Sequence, residues 1–139
     1  MSHVVTIATE IRDLQAVKAA CKRLGWEFLE GQTTYKWYGE SVGDYPLPTG
    51  FTAADLGKCH HAIRVPGARY EVGLVRRGNS FVPMWDYWYS GGLSENTGNK
   101  LAQAYAVEKA KAEARRRGHT VTEAAMPDGS IRLLVSVGG

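Results

Sequence analysis

Two periods of apolar residues run along the chain, and the places where one gives way to the other mark its elements. Val4, Val5, Thr6, Ile7 and Thr9 are strand-favouring types and predict a first strand over residues 2–11. The spacing then lengthens. Leu14, Val17, Cys21 and Leu24 recur at three- and four-residue steps, while Gln15, Lys18, Lys22 and Arg23 fall off that stripe. This is an amphipathic helix. Asp13 stands where a carboxylate can accept the free amides of the first turn, and Gly25 stands where a left-handed residue ends it.

A second strand is predicted over 26–30, continuing or pairing again through 33–38. Residues 39–57 carry glycines, two prolines and no sustained period, so they read as a long loop or insertion. Three strands of a meander follow at 59–65, 70–77 and 81–89, punctuated by Pro66-Gly67, Gly78-Asn79 and Gly91-Gly92. Short glycine-containing turns join antiparallel neighbours, since parallel strands need long crossovers. A second helix is predicted over 96–117, with Leu101, Ala104, Tyr105 and Ala112 on its packing side, Arg115 to Arg117 in its last turn and Gly118 as its stop. The chain then forms a hairpin, 120–125 and 131–137, turning at Pro127-Asp128-Gly129.

Helices set apart from runs of antiparallel strands predict an α+β fold. The expected plan is a mainly antiparallel sheet with both helices packed on one face, a ferredoxin-like variant with extra strands. At 139 residues the chain suits one domain over 1–139. Hydrophobic residues make up 44%, enough for a core without staples. No apolar run is long enough to span a bilayer, and the first residues lack the basic-then-apolar pattern of a signal peptide. With only Cys21 and Cys59, free thiols in a reducing, cytoplasmic setting are the expectation. The net charge of +3 permits an acidic partner without requiring one.

Several segments together resemble a known family: MSHVVTIATEIRD, AIRVPGARYEVGLVRR with MWDYW, and LAQAYAVEKAKAEARRRGHTV with PDGSIRLLV. They are similar to an uncharacterised domain-of-unknown-function family that includes a hypothetical chloroplast reading frame of cyanobacteria and algal plastids. Members also occur in other bacteria and phages. The resemblance spans nearly the whole chain except about 32–58. It implies one compact intracellular domain and transfers no activity, cofactor or substrate.

Candidate chemistry is sparse. Alternation in a strand would put Cys59 and His61 on one face and His60 on the other. With His3 from the first strand, these are the candidate metal ligands, although a structural zinc site needs four. Cys59 beside a histidine is also a candidate nucleophile and base, without a visible orienting residue. No phosphate-binding glycine motif is present, and no cofactor is expected.

The aromatic residues are the more unusual feature. Tyr35, Trp37, Tyr38 and Tyr45 form one group; Trp85, Tyr87, Trp88 and Tyr89 form another. Aromatics with a polar handle serve binding surfaces as well as cores. Tyr35, Trp37, Trp85, Tyr87, Trp88, Arg64 and Arg76 are therefore the candidate binding residues. The leading expectation is a non-enzymatic binding or accessory domain for a protein partner or small ligand. The alternatives are a nucleic-acid-associated protein using basic and aromatic residues, and a metal or thiol enzyme around Cys59. The oligomeric state is not legible.

Overall fold

A computed structural model describes residues 10–39, 47–87 and 91–137, together with the backbone of Val4 and Val5. The elements run β1 (Val4–Val5), α1 (Leu14–Leu24), β2 (Glu27–Leu29), β3 (His61–Arg64), β4 (Glu71–Arg77), β5 (Ser80–Asp86), α2 (Thr97–Arg116), β6 (Thr120–Ala125) and β7 (Ile131–Ser136). A 3₁₀ turn, Ala53–Asp55, lies between β2 and β3. The fold is α+β, as the periods predict.

Strands β2 to β5 form an antiparallel meander, and the two residues of β1 extend it beside β5. The order is β1-β5-β4-β3-β2, so the strands joined by α1 lie at opposite edges. A ferredoxin-like plan also separates such a pair, but here the whole β3–β5 meander intervenes. The terminal hairpin departs further from that plan: β6 and β7 make their own two-stranded sheet. The expected strand over 81–89 ends at Asp86, and Trp88 and Tyr89 lie outside the described residues.

Helix α1 begins where its sequence signals say. The Asp13 carboxylate accepts from the Gln15 and Ala16 amides at 3.0 and 3.3 Å. Gly25 takes a φ of 74°, a left-handed value that only glycine adopts without penalty. The Arg12 and Asp13 amides are satisfied from across the molecule, donating to the Tyr105 hydroxyl of α2 at 3.1 and 3.2 Å.

Both helices pack on one sheet face. Val17, Ala20 and Cys21 of α1 and Leu101, Ala104 and Tyr105 of α2 meet Ile63, Val72, Leu74, Phe81 and Trp85 in one buried cluster. The hairpin contributes less apolar contact, and Leu134 and Val135 remain exposed. It is tied down by charge: Glu123 of β6 bonds both Arg23 of α1 and Lys111 of α2, and Glu108 pairs with the same two cations. Among the described residues no helix is long and apolar enough to cross a membrane.

Candidate functional site

The second sheet face is covered by the segment between β2 and β3. Tyr35, Leu56, Cys59, Ala62, Val75 and Met84 form a separate buried cluster there, with Trp37, Leu47 and Phe51 packed against it. The described parts of this segment act as a strap. Thr34 and Lys58 form an antiparallel bridge, and the Tyr35 amide donates to the Gly57 carbonyl at 3.0 Å.

Two acidic side chains of the sheet hold the strap's backbone. The Lys36 amide donates to Glu71 Oε1 at 2.9 Å, and Gln32 Nε2 reaches the same oxygen at 3.1 Å. The Glu71 amide returns the bond to the Lys36 carbonyl at 2.9 Å. Two residues on, the Tyr38 amide donates to Asp86 Oδ2 at 3.0 Å. Glu71 is 3% exposed and Asp86 0%. Carboxylates so deeply buried persist because they are hydrogen-bonded. The sequence reading missed both; the available signal was an acid within an otherwise apolar strand.

The strap's aromatic side chains need gaps in the opposing backbone. The Tyr35 ring lies on Gly73, where a Cβ would fall 2.2 Å from Cδ1. The Trp37 indole lies on Gly57, where a Cβ would fall 2.5 Å from Nε1.

These placements correct the proposed aromatic surface. Tyr35 is 3% exposed and Trp85 1%, so both are core residues that a partner could not touch. The Trp85 indole donates to the Ser94 carbonyl at 2.8 Å, which fixes it below the start of α2. Tyr87 is half-buried against the helix-side cluster, and Trp88, like Tyr45, lies outside the described residues. Arg64 is exposed and pairs with Glu27 at 3.3 Å. It sits opposite Glu71, whereas Arg76 is five residues further along β4, roughly 17 Å away at about 3.3 Å per residue. The described candidates therefore do not form one surface.

The Cys59–His61 segment is also rearranged. Alternation fails because β3 starts only at His61 and the chain bends at His60. Cys59 joins the strap-side cluster, while His61 faces the helix side, its ring 5.5 Å from that of Phe28 and 5.6 Å from that of Phe81. His60 Nδ1 accepts from the Arg76 amide at 3.0 Å, and His61 Nδ1 accepts from the Gly31 amide at 2.9 Å. Among the described residues no three His, Cys, Asp or Glu side chains gather to hold a metal, and His3 lies outside them. The Cys59 thiol donates to the Gln32 carbonyl, and burial pushes it up to about 11. Burial raises Cys21 equally, to about 11. A nucleophilic cysteine needs the opposite shift. The two free thiols belong to clusters on opposite sheet faces and cannot bridge.

Two of the clefts combine cations with aromatic rings. One, of about 500 Å³, is lined by Arg12, Asp13, His61, Arg76, Phe81 and Lys109 among others. Its cations are largely matched, Lys109 by Asp13 and Glu113, and Arg12 by Glu10. The other, of about 400 Å³, opens between the strap and the turn before β4 and is lined by Lys36, Trp37, Ala68, Arg69 and Tyr70. Neither Lys36 nor Arg69 has a carboxylate within 4.0 Å among the described residues. Tyr70 is held as the floor, since a Cβ on Gly91 would fall within its ring. Of the candidate binding residues that are described, only Trp37 lines this second cleft.

A family model described as "Protein of unknown function (DUF1257)" matches residues 50–134. The match takes in the β3–β5 meander, α2, most of the hairpin and the Arg69–Tyr70 wall, and leaves Lys36 and Trp37 outside. No curated protein and no solved structure matches the chain.

Proposed function

We propose, for a chain that belongs to the DUF1257 family of unknown function, that it is a non-enzymatic binding domain taking an anionic partner with apolar area in the Trp37 cleft. The supporting observation is the pairing of two cations that have no carboxylate partner among the described residues, Lys36 and Arg69, with an aromatic wall in one concavity. Its volume of about 400 Å³ lies within the range of roughly 300–1,000 Å³ in which small ligands are held. An unpaired cation beside a ring attracts an anionic group that carries apolar area. The Arg guanidinium offers a fixed fork of donors, and Lys a mobile point charge. A cytoplasmic setting, with both thiols reduced, is part of this reading.

Titration of the purified domain with aromatic acids, acidic peptides and nucleotides tests it. At least one class is expected to bind the wild type and to be lost in Lys36→Ala and Arg69→Ala, both exposed positions, with Tm unchanged. Binding that ignores both substitutions, or no binding in any class, overturns the proposal.

A further inference from the structure

We infer that the cleft takes a short stretch of single-stranded nucleic acid, an inference that rests on the binding role proposed above. Each wall offers a cation followed by an aromatic residue: Lys36–Trp37 from the strap and Arg69–Tyr70 from the turn before β4. A single strand presents a flat base flanked by charged phosphates. Tyr70, 8% exposed, is the fixed floor, and the half-buried Trp37, its indole seated on Gly57, is the second ring lining the cleft and the one to stack. Base stacking on an aromatic side chain tolerates any sequence, and grooves that bind single strands combine such rings with cations that follow the backbone. An acidic peptide would satisfy the two cations but carries no flat ring in every unit between its charges. The carboxylate nearest in sequence, Glu71, is turned inward onto the Gln32 side chain and the Lys36 amide, so it does not neutralise the cations from the solvent side.

The probe is a fluorescent oligodeoxythymidine of about eight nucleotides, within the usual site sizes of roughly 4–16, beside an abasic strand of equal length and an acidic peptide containing tyrosine. The oligothymidine is expected to bind at least tenfold more tightly than the abasic strand. The plot of log affinity against log salt is expected to flatten by about 1.4 in the Lys36→Ala/Arg69→Ala double variant, from two lost phosphate contacts at about 0.7 each. Equal affinity for the abasic strand, or an unchanged salt slope, overturns the inference. If the peptide binds and the double variant abolishes it, while the oligothymidine does not bind, the binding domain stands and the nucleic acid does not. If nothing responds to the double variant, both fail.

Discussion

Gly73→Ala probes the seat of the strap directly. The added Cβ would lie 2.2 Å from Tyr35 Cδ1, 2.7 Å from Cε1 and 2.8 Å from Cγ. Ordinary contact begins near 3.4 Å, so the ring must withdraw by about 1.2 Å. It has little room, being 3% exposed and enclosed by Leu56, Val75 and Met84. Overpacking of this kind costs roughly 1–3 kcal/mol. Replacing a strand glycine by alanine returns roughly 0.5–1 kcal/mol of backbone entropy. A net loss of about 1–2 kcal/mol is expected, which lowers Tm by roughly 3–10 °C in a domain of this size. Urea denaturation with an unchanged m value measures it. In a Tyr35→Ala background the obstructing ring is gone, and Gly73→Ala should become neutral or mildly stabilising. A Gly73→Ala variant as stable as the wild type would refute the claim that the ring rests on that glycine. So would an equal loss in both backgrounds.

Three further outcomes follow from the same structure. The Tyr35 hydroxyl is buried and makes no hydrogen bond of full geometry among the described residues; burial pushes the phenol up to about 12 against an opposing pull from the Gly57 backbone. Tyr35→Phe should therefore raise stability by up to about 1 kcal/mol in urea titration, and a loss of that size would mean that the hydroxyl has a partner. Arg23 and Lys111 hold the Glu123 carboxyl down at about 2 from an ordinary 4.5. Its contribution is complete above the unfolded value and is lost as pH falls from about 4.5 towards 2. Glu123→Gln should flatten the pH dependence of the urea midpoint in that window and cost no more than about 1 kcal/mol at neutral pH, because the group is partly exposed. An unchanged acid limb would remove this ion cluster from the stability of the fold. With its thiol raised to about 11, against an ordinary 9, Cys59 should react with iodoacetamide at pH 8 about 100-fold more slowly in the native protein than in urea. Rapid native alkylation would restore it as a candidate nucleophile.

What the sequence revealed and what it hid differ in range. Asp13, Leu14, Val17, Cys21 and Gly25 specify α1 because a cap, a stripe and a stop are local features. The Pro66-Gly67 and Gly78-Asn79 turns likewise pair β3 with β4 and β4 with β5. The strap was hidden because its seat is a long-range steric match between Tyr35 and Gly73, and no period encodes that. Alternation put Trp85 on one strand face and Asp86 on the other and left the second face either exposed or covered by the 39–57 loop; both residues are buried. The Cys59 and His61 assignment failed at a bend, where the His60 ring takes the bond from the Arg76 amide. The cleft joins Lys36 and Arg69, which lie on separate segments, so only the fold could bring them together.

The Tyr105 hydroxyl that closes the start of α1 is supplied from 92 residues downstream. An isolated helix shorter than about 12–15 residues is marginal in water, and α1 has 11. At roughly 5–20 residues per second, a ribosome takes about 5–18 s to translate from Asp13 to Tyr105. For that interval the Arg12 and Asp13 amides lack the acceptor that the fold gives them, and the Val17 and Cys21 stripe lacks its α2 neighbours. The order of translation thus makes the amino-terminal third the part most in need of a chaperone's shelter.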